Sequence, residues 1–182
     1  MNRKETTQFL SNLLISNKFS GMGKYWAREV SVDPTRRGLG RRVDFMQFIP
    51  PGQTTASAIE KGIFICYEIK SCREDVFSGN GLNFIGEKNY IVTTMQGYKD
   101  ILPDYRDGTL DEHIKKLNGG NRNYGILVAM PDGADRFEEM NKPTPIVTEC
   151  TWKLETMIKC IEDLREKSMA ELLFCMLRSG KN

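Results

Sequence analysis

Three charged side chains within two apolar segments have the types and spacing needed for chemistry: Asp44, Glu68 and Lys70. Residues 63–70 are β-branched and aromatic, which predicts a strand, and side chains two apart on a strand share a face. Glu68 and Lys70 are therefore expected on the same face. Residues 43–48 predict the neighbouring strand. The Pro-Pro-Gly turn between the segments lets the chain return antiparallel, which brings Asp44 beside Glu68.

Two carboxylates and a lysine are costly to bury without partners, by several kcal/mol. A hard divalent cation compensates them, because Mg²⁺ is held by one or two carboxylates together with water and substrate phosphate. Lys70 would then orient or activate the attacking water, so the set predicts phosphodiester hydrolysis. The alternative is an internal ion pair at the edge of a sheet, either Glu68 with Lys70 or Asp44 with Arg42.

Four longer segments resemble the PD-(D/E)XK nuclease superfamily, and more narrowly its MmcB-like branch of proteins linked to DNA repair. The segments are Arg42-Val43-Asp44, Tyr67-Glu68-Ile69-Lys70-Ser71, Arg73-Glu74-Asp75-Val76-Phe77 and Glu87-Lys88-Asn89-Tyr90-Ile91-Val92. Val43 stands where the superfamily name has a proline, a position at which the superfamily commonly varies. The resemblance covers residues 5–130 and implies a restriction-endonuclease-like α/β fold. Its αβββαβ core has a mixed central sheet, here followed by C-terminal helices.

The resemblance also implies roles for particular residues. Asp44 and Glu68 would ligate Mg²⁺ or Mn²⁺, with the carbonyl of Ile69 as a further ligand, and Lys70 would act on the water. An additional acid from the first strand or first helix often joins such sites, which indicates Glu29, with Glu5 as the competing choice. The segment after Lys70 would cap the site. Two residues that follow it are expected to touch substrate: Asn83 and Lys88.

Charge is distributed unevenly although the net charge is only +2. Residues 1–70 contain 11 Lys and Arg against 6 Asp and Glu, whereas the remainder contains 15 against 18. A cluster of four arginines just before Asp44 is suited to phosphate contacts, which are independent of base sequence and weakened by salt. Its members are Arg36, Arg37, Arg41 and Arg42. The alternative is a solvated loop that the arginines keep soluble.

Apolar periodicity predicts the remaining elements. They are a first helix over 5–17, strands over 25–32, 89–94 and 124–131, a short or broken helix after Lys70, a short amphipathic helix over 110–117, and a surface loop over 132–145. The tail over 151–177 has apolar residues at helical spacing, which predicts one long helix or two helices with a break near 167–168. These C-terminal helices are expected to pack on the sheet, or alternatively to bind a second copy or a repair protein.

Length and composition bound the class of protein. With 182 residues and 40% apolar side chains, the chain is expected to form one domain over 1–182, with a core at 5–130 and a helical segment at 148–178. No run is long enough to span a membrane and the N-terminus lacks the apolar core of a signal peptide, so a cytoplasmic protein is expected. Five widely spaced cysteines indicate reduced thiols.

The function predicted from these observations is metal-dependent cleavage of nucleic acid, with DNA as the expected substrate, in repair, recombination or phage and defence processes. A second hypothesis is a nuclease-like module that binds nucleic acid or a repair partner without cutting. A third is a structural subunit of a larger assembly, supported by the apolar tail alone.

Overall fold

The computed structural model describes residues 2–33, 40–52 and 55–179. Its centre is a sheet whose six strands neighbour one another in chain order. The strands are β1 (Tyr25–Ser31), β2 (Arg42–Ile49), β3 (Ile63–Ile69), β4 (Lys88–Thr94), β5 (Gly125–Pro131) and β6 (Trp152–Ile158). The helices are α1 (Arg3–Leu14), α2 (Ala56–Ile59), α3 (Arg73–Val76), α4 (Met95–Arg106), α5 (Thr109–Asn118), α6 (Arg136–Asn141) and α7 (Met169–Ser179).

The sheet is mixed, as the sequence predicts. Strands β1, β2 and β3 form an antiparallel meander, β4 is parallel to β3, β5 is parallel to β4, and β6 is antiparallel to β5. From α1 to β4 the order is a helix, three antiparallel strands with the short α2 between the second and the third, the short α3 and a strand. The fold class is α/β with helices that include one at the C-terminal end, which confirms the predicted class.

Helices cover both faces of the sheet, because the central strands β3, β4 and β5 bury side chains on both faces. Leu10 and Leu14 of α1 pack on the face that carries Tyr67 and Ile69. On the opposite face α7 covers β1 to β3, and α4 with α5 covers β4 and β5. The central strands are thus buried on both faces, so a charged side chain on β3 lies in a dry environment.

Helix α1 begins where the sequence supplies a cap. The side chain of Asn2 accepts the backbone N–H of Glu5 at 3.0 Å, and the Glu5 carboxylate accepts the N–H of Asn2 at 2.9 Å. This reciprocal pair satisfies two N–H groups that a helix start leaves without partners. A π-helical turn (Ile15–Phe19) continues the helix and buries Phe19 against the sheet.

The predicted C-terminal helical segment over 148–178 is wrong in its first half. Residues Trp152–Ile158 form β6, which pairs with β5, and only Met169–Ser179 form a helix. Strand β5 is buried along its length and needs a partner for its outer backbone groups, which β6 supplies. Trp152 and Leu154 alternate with Lys153 and Glu155, a period of two that the helical count over the whole tail concealed.

Three helices of the described residues were missed by sequence reasoning: α2, in the connection between β2 and β3, α4 and α6. Helix α4 contains Gly97 and Pro103, both poor helix formers, so the sequence indicates an exit from β4 instead. Gly97 is needed because a Cβ there would lie 2.3 Å from the Oγ1 of Thr93. The short α6 occupies part of the loop predicted over 132–145 and is capped by Asp135, which accepts the N–H groups of Phe137 and Glu138.

Candidate active site

Asp44 lies where β2 and β3 stop pairing as strands. Their pairing runs from Ile49 opposite Ile63 to Phe45 opposite Tyr67. The Oδ2 atom of Asp44 then accepts the backbone N–H of Ile69 at 2.9 Å. The carboxylate is therefore held by the backbone of the neighbouring strand, beside the end of β3 where Glu68 and Lys70 lie. This is the proximity that the sequence predicts for Asp44.

Glu68 is fully buried and only half satisfied. Its Oε1 accepts the backbone N–H of Asn83 at 3.2 Å, whereas its Oε2 has no hydrogen-bond partner among the described residues. Burial raises the pKa of Glu68 well above its usual range, and the nearby carboxylate of Asp44 raises it further. Burial also raises the pKa of Asp44. Burial is the largest cause of both shifts, and the nearby ammonium of Lys70 opposes them without cancelling them.

Lys70 is buried immediately after β3. Its Nζ donates to the backbone carbonyl of Asn80 at 2.6 Å and lies 4.0 Å from Oδ1 of Asp75. An ammonium has three donors, so one bond to Asn80 leaves two for other acceptors. The described contacts do not pair Lys70 with Glu68, so the internal Glu68–Lys70 ion pair offered as an alternative is absent from them.

Asp75 belongs to the site but was not predicted as a site residue. It is buried and accepts both the backbone N–H of Ser71 at 3.0 Å and the hydroxyl of Ser71 at 3.1 Å. It also forms an ion pair with Arg3 of α1. Asp75 therefore ties the turn after Lys70 to the first helix. Its signal in the sequence is a carboxylate four residues after a serine, a spacing typical of a closed turn.

A short loop passes directly over Glu68 and Lys70. We call residues Gly79–Asn83 the glycine loop. Gly79 and Gly81 have φ of +76° and +75°, and Leu82 has φ of 56° although it is not a glycine. A Cβ on Gly81 would lie 2.7 Å from Oε2 of Glu68 and 2.9 Å from Nζ of Lys70. The backbone thus approaches both side chains more closely than a residue with a side chain would allow.

These groups line a cavity of about 1140 Å³ at the end of the sheet. Its walls are α1, the ends of β1, β2 and β3, and the glycine loop. The lining is mostly polar and carries charges of both signs. The charged lining residues are Arg3, Lys4, Arg28, Arg41, Arg42, Lys70, Glu29, Asp44, Glu68 and Asp75. A cavity of this size exceeds the usual range of small-molecule pockets, about 300–1,000 Å³.

The candidates for a third acid lie in different places. Glu29 lines the cavity and its charge raises the pKa of Asp44, but its carboxylate pairs with Arg42 at 2.7 Å. Its φ of 54° is unusual for a non-glycine residue within a strand. Glu5 is occupied in the cap of α1, away from the cavity lining. Of the two candidates, Glu29 is the one near the site.

The predicted nucleic-acid contacts are also divided. Arg41 lines the cavity but donates to Asp33 at 2.8 Å and to both oxygens of Glu166 at 2.6 and 2.8 Å. Arg42 is exposed beside Glu29, and the side chain of Asn83 donates to the Arg42 carbonyl at 2.8 Å. Lys88 pairs with Glu162 and lies opposite Ile65, toward the other end of β3 and outside the cavity lining. Arg36 and Arg37 lie outside the described residues.

The residues present fit a hard cation with few protein ligands. Within the described ranges no group of three or more His, Cys, Asp and Glu side chains is arranged to hold a metal ion. Mg²⁺ does not require one, since it keeps several waters and binds one or two carboxylates. The buried, unpartnered Oε2 of Glu68 beside Asp44 is the kind of atom that such an ion would satisfy.

Comparison with known proteins adds no relative: no family model, no curated protein and no solved structure matches this chain. The helices of the described residues include none with the length and apolar character needed to cross a membrane.

Proposed function

We propose that this protein is a metal-dependent nuclease that hydrolyses phosphodiester bonds of nucleic acid, with DNA as its substrate. The observation that carries the proposal is the Oε2 of Glu68, which is buried without a partner beside a second carboxylate whose pKa is also raised. A bound Mg²⁺ or Mn²⁺ would compensate both. The resemblance of the surrounding segments to PD-(D/E)XK nucleases and their MmcB-like branch supports the same assignment and suggests a role in DNA repair.

In this mechanism Asp44 and Glu68 would hold the ion, with the carbonyl of Ile69 as a further ligand. When bound, the ion would supply Lewis-acid polarisation of the scissile phosphate and a more acidic water. Asp44 is kept in place by the Ile69 N–H, and Glu68 by the Asn83 N–H. Lys70, fixed through Asn80, uses its remaining donors to orient the attacking water. Glu29 is proposed as the additional acid once a phosphate engages Arg42.

Two cations of the cavity wall are proposed to bind the phosphates that flank the scissile phosphodiester bond. Arg3, Arg41 and Arg42 are each paired with a carboxylate. Lys4 on α1 and Arg28 on β1 line the same cavity, and neither forms an ion pair with any residue in 2–33, 40–52 and 55–179. Unpaired cations gain most from a phosphate, because they lose no existing partner when it binds.

We also propose a cytoplasmic location, because all five cysteines are unpaired and thiols stay reduced there. A homodimer or repair-protein partner bound through α7 is a further proposal. Met169 and Leu172 of that helix pack on the sheet, whereas Phe174 and Leu177 are exposed and available to a partner.

The second candidate function is a module that binds nucleic acid without cutting it. It is favoured by the engagement of Glu29 with Arg42 and by the absence, in the described part of the chain, of a three-ligand metal cluster. In that case the cations that line the cavity, including Lys4 and Arg28, would bind the nucleic acid, and Asp44 and Glu68 would remain without an ion.

The test is cleavage of branched, single-stranded and duplex DNA and RNA with Mg²⁺, Mn²⁺ or chelator. Wild type is compared with Lys70→Ala and with Lys88→Ala, a matched loss of one lysine outside the cavity. We expect metal-dependent cleavage by wild type and Lys88→Ala and none by Lys70→Ala. Binding without cleavage of any substrate favours the module, and cleavage that survives both chelator and Lys70→Ala contradicts the nuclease site.

A further inference from the structure

The glycine loop makes three hydrogen bonds to residues of the candidate site. The carbonyl of Asn80 accepts Nζ of Lys70, the N–H of Asn83 donates to Oε1 of Glu68, and the Asn83 side chain donates to the carbonyl of Arg42. One five-residue segment therefore holds both a metal-ligand candidate and the water-orienting candidate. We propose that the glycine loop is the positioning element of the site and that Gly81 is its determining residue.

Alanine substitutions at two glycines of this loop distinguish the effect of backbone strain from the effect of contact with the site. Gly79 and Gly81 have nearly the same positive φ, so an alanine at either position meets a similar conformational penalty. Beyond that penalty they differ. A Cβ on Gly79 meets no atom within 4 Å, whereas a Cβ on Gly81 reaches Glu68 and Lys70. Gly81→Ala and Gly79→Ala are therefore a matched pair of variants. They differ in whether the added methyl group contacts Glu68 and Lys70.

The far side of the loop is fixed as well. Leu82 is fully buried, and its carbonyl accepts the side-chain amide of Asn118 at 3.0 Å. The Oδ1 of Asn118 accepts the N–H of Phe84 at 3.0 Å. Because α5 holds the loop from behind, a methyl group on Gly81 displaces the side-chain tips of Glu68 and Lys70. Side-chain tips move at low cost, so the fold is retained while the candidate chemical groups are misplaced.

The experiment compares wild type, Gly79→Ala and Gly81→Ala by two readouts. Amide hydrogen exchange at Asn83 is measured without metal, and Mn²⁺ affinity is measured by titration. The first readout depends only on the loop, and the second rests on the proposed metal-dependent function. Unfolding in urea checks that the two variants lose similar stability. Asn118→Ala, which frees the loop without adding an atom to the site, serves as a second variant if Gly81→Ala does not fold.

We expect Asn83 exchange in Gly81→Ala to be at least about tenfold faster than in Gly79→Ala, because its acceptor is displaced. We expect Mn²⁺ affinity to fall by about 10–100-fold in Gly81→Ala alone, the range seen when a ligand's supporting contacts are lost. Asn118→Ala should move both readouts in the same direction. Equal exchange and equal affinity in the two glycine variants overturn the positioning role.

The two readouts also separate this inference from the proposed function. If Asn83 exchange distinguishes the glycine variants but wild type binds no Mn²⁺, the loop positions Glu68 and the metal-dependent function is contradicted. If wild type and both variants bind Mn²⁺ with equal affinity and show equal exchange, the metal site stands and the role of Gly81 is contradicted.

Discussion

Two buried glutamates lie at opposite ends of β3 and differ in how they are satisfied. Glu87 accepts the backbone N–H of Phe64 at 2.8 Å with Oε2 and pairs with Arg165 at 2.8 Å through Oε1. Glu68 receives one N–H, from Asn83, and its second oxygen has no partner among the described residues. Glu87 thus has a cation and a backbone donor in direct contact, whereas Glu68 has one backbone donor and no ion-pair partner among the described residues.

The difference separates a structural carboxylate from a candidate functional one. A buried charge with a cation and a backbone donor is compensated within the protein, so Glu87 joins β3 to the segment before α7. A buried charge that is not compensated costs stability, and such groups cluster at sites where a ligand supplies what is missing. Glu68 is therefore the candidate functional carboxylate, and Glu87 is the carboxylate that contributes to the stability of the fold.

The largest expected effect is on activity. Glu68→Gln should reduce cleavage by at least about a thousandfold, because it removes the charge of an ion ligand that contributes several kcal/mol to the transition state. Glu87→Gln should retain activity within a few-fold, since it lies outside the cavity. Rates on the best substrate of the panel measure both variants. Loss of activity in Glu87→Gln alone would reverse the assignment of the two residues.

For stability the order of the two residues should be reversed, so that substitution of Glu87 is the more harmful. Glu87→Ala is expected to lower the free energy of unfolding by about 2–3 kcal/mol, because it leaves the N–H of Phe64 and the guanidinium of Arg165 without their partner. Glu68→Gln is expected to raise it by about 1 kcal/mol in chelator, since an uncompensated charge is removed. Urea denaturation at neutral pH measures both. A large loss of stability in Glu68→Gln would show that its charge is already compensated.

The dependence of stability on pH tests the raised pKa of Glu68. Below its ordinary value of 4.5 the carboxyl is protonated in both folded and unfolded chains. As pH rises toward the raised folded-state pKa, the unfolded chain releases its proton first and stability falls, by up to about 1.4 kcal/mol per pH unit. Urea midpoints from pH 4 to 8 should show this decline in wild type, and Glu68→Gln should flatten it. The raised pKa of Asp44 gives the same sign, so some decline remains in the variant.

Saturating Mg²⁺ should also flatten that decline in wild type, because an ion that binds the carboxylates stabilises their charged forms. A pH profile that is the same in wild type and Glu68→Gln would contradict the assigned pKa direction.

The smallest expected effect is on DNA binding, and it compares a cation that has no ion-pair partner with one that is paired. Lys4 is without an ion-pair partner in the described part of the chain, whereas Arg41 is held by Asp33 and Glu166. Lys4→Ala should weaken DNA binding and reduce the slope of log affinity against log salt by about 1, the value for one phosphate contact. Arg41→Ala should leave that slope unchanged. Fluorescence anisotropy with Glu68→Gln as background, which prevents cleavage, provides the measurement.

The three central side chains of the site were predictable because local rules place them. A period of two puts Glu68 and Lys70 on one face. The antiparallel return of the chain, through a connection from Ile49 to Ile63 that contains α2, brings Asp44 back to them. The antiparallel meander follows from the same rules. Asp44 and Glu68 are consequently found at neighbouring positions, although the geometry that ties Asp44 to the Ile69 N–H is visible only in the structure.

The surroundings of the site were not predictable, because they depend on contacts between distant parts of the chain. Arg41 binds Glu166, which is 125 residues away, and no local pattern links them. The glycine loop places Leu82 at a positive φ, a conformation that its residue type disfavours and that burial against α5 enforces. Strand β6 was concealed because both a helix and an edge strand accommodate its mixture of apolar and charged residues.

The packing of α7 on β1 also affects how this protein is made. The first strands are synthesised early, yet the apolar face formed by Val30, Met46 and Phe64 is covered by a helix that begins at Met169. At about 5–20 residues per second, roughly 5–20 s separate the completion of β3 at Ile69 from the appearance of Met169. A nascent chain carries an uncovered hydrophobic sheet face throughout that interval. A chain terminated before α7 is therefore expected to expose this face and to aggregate more readily than the full-length chain.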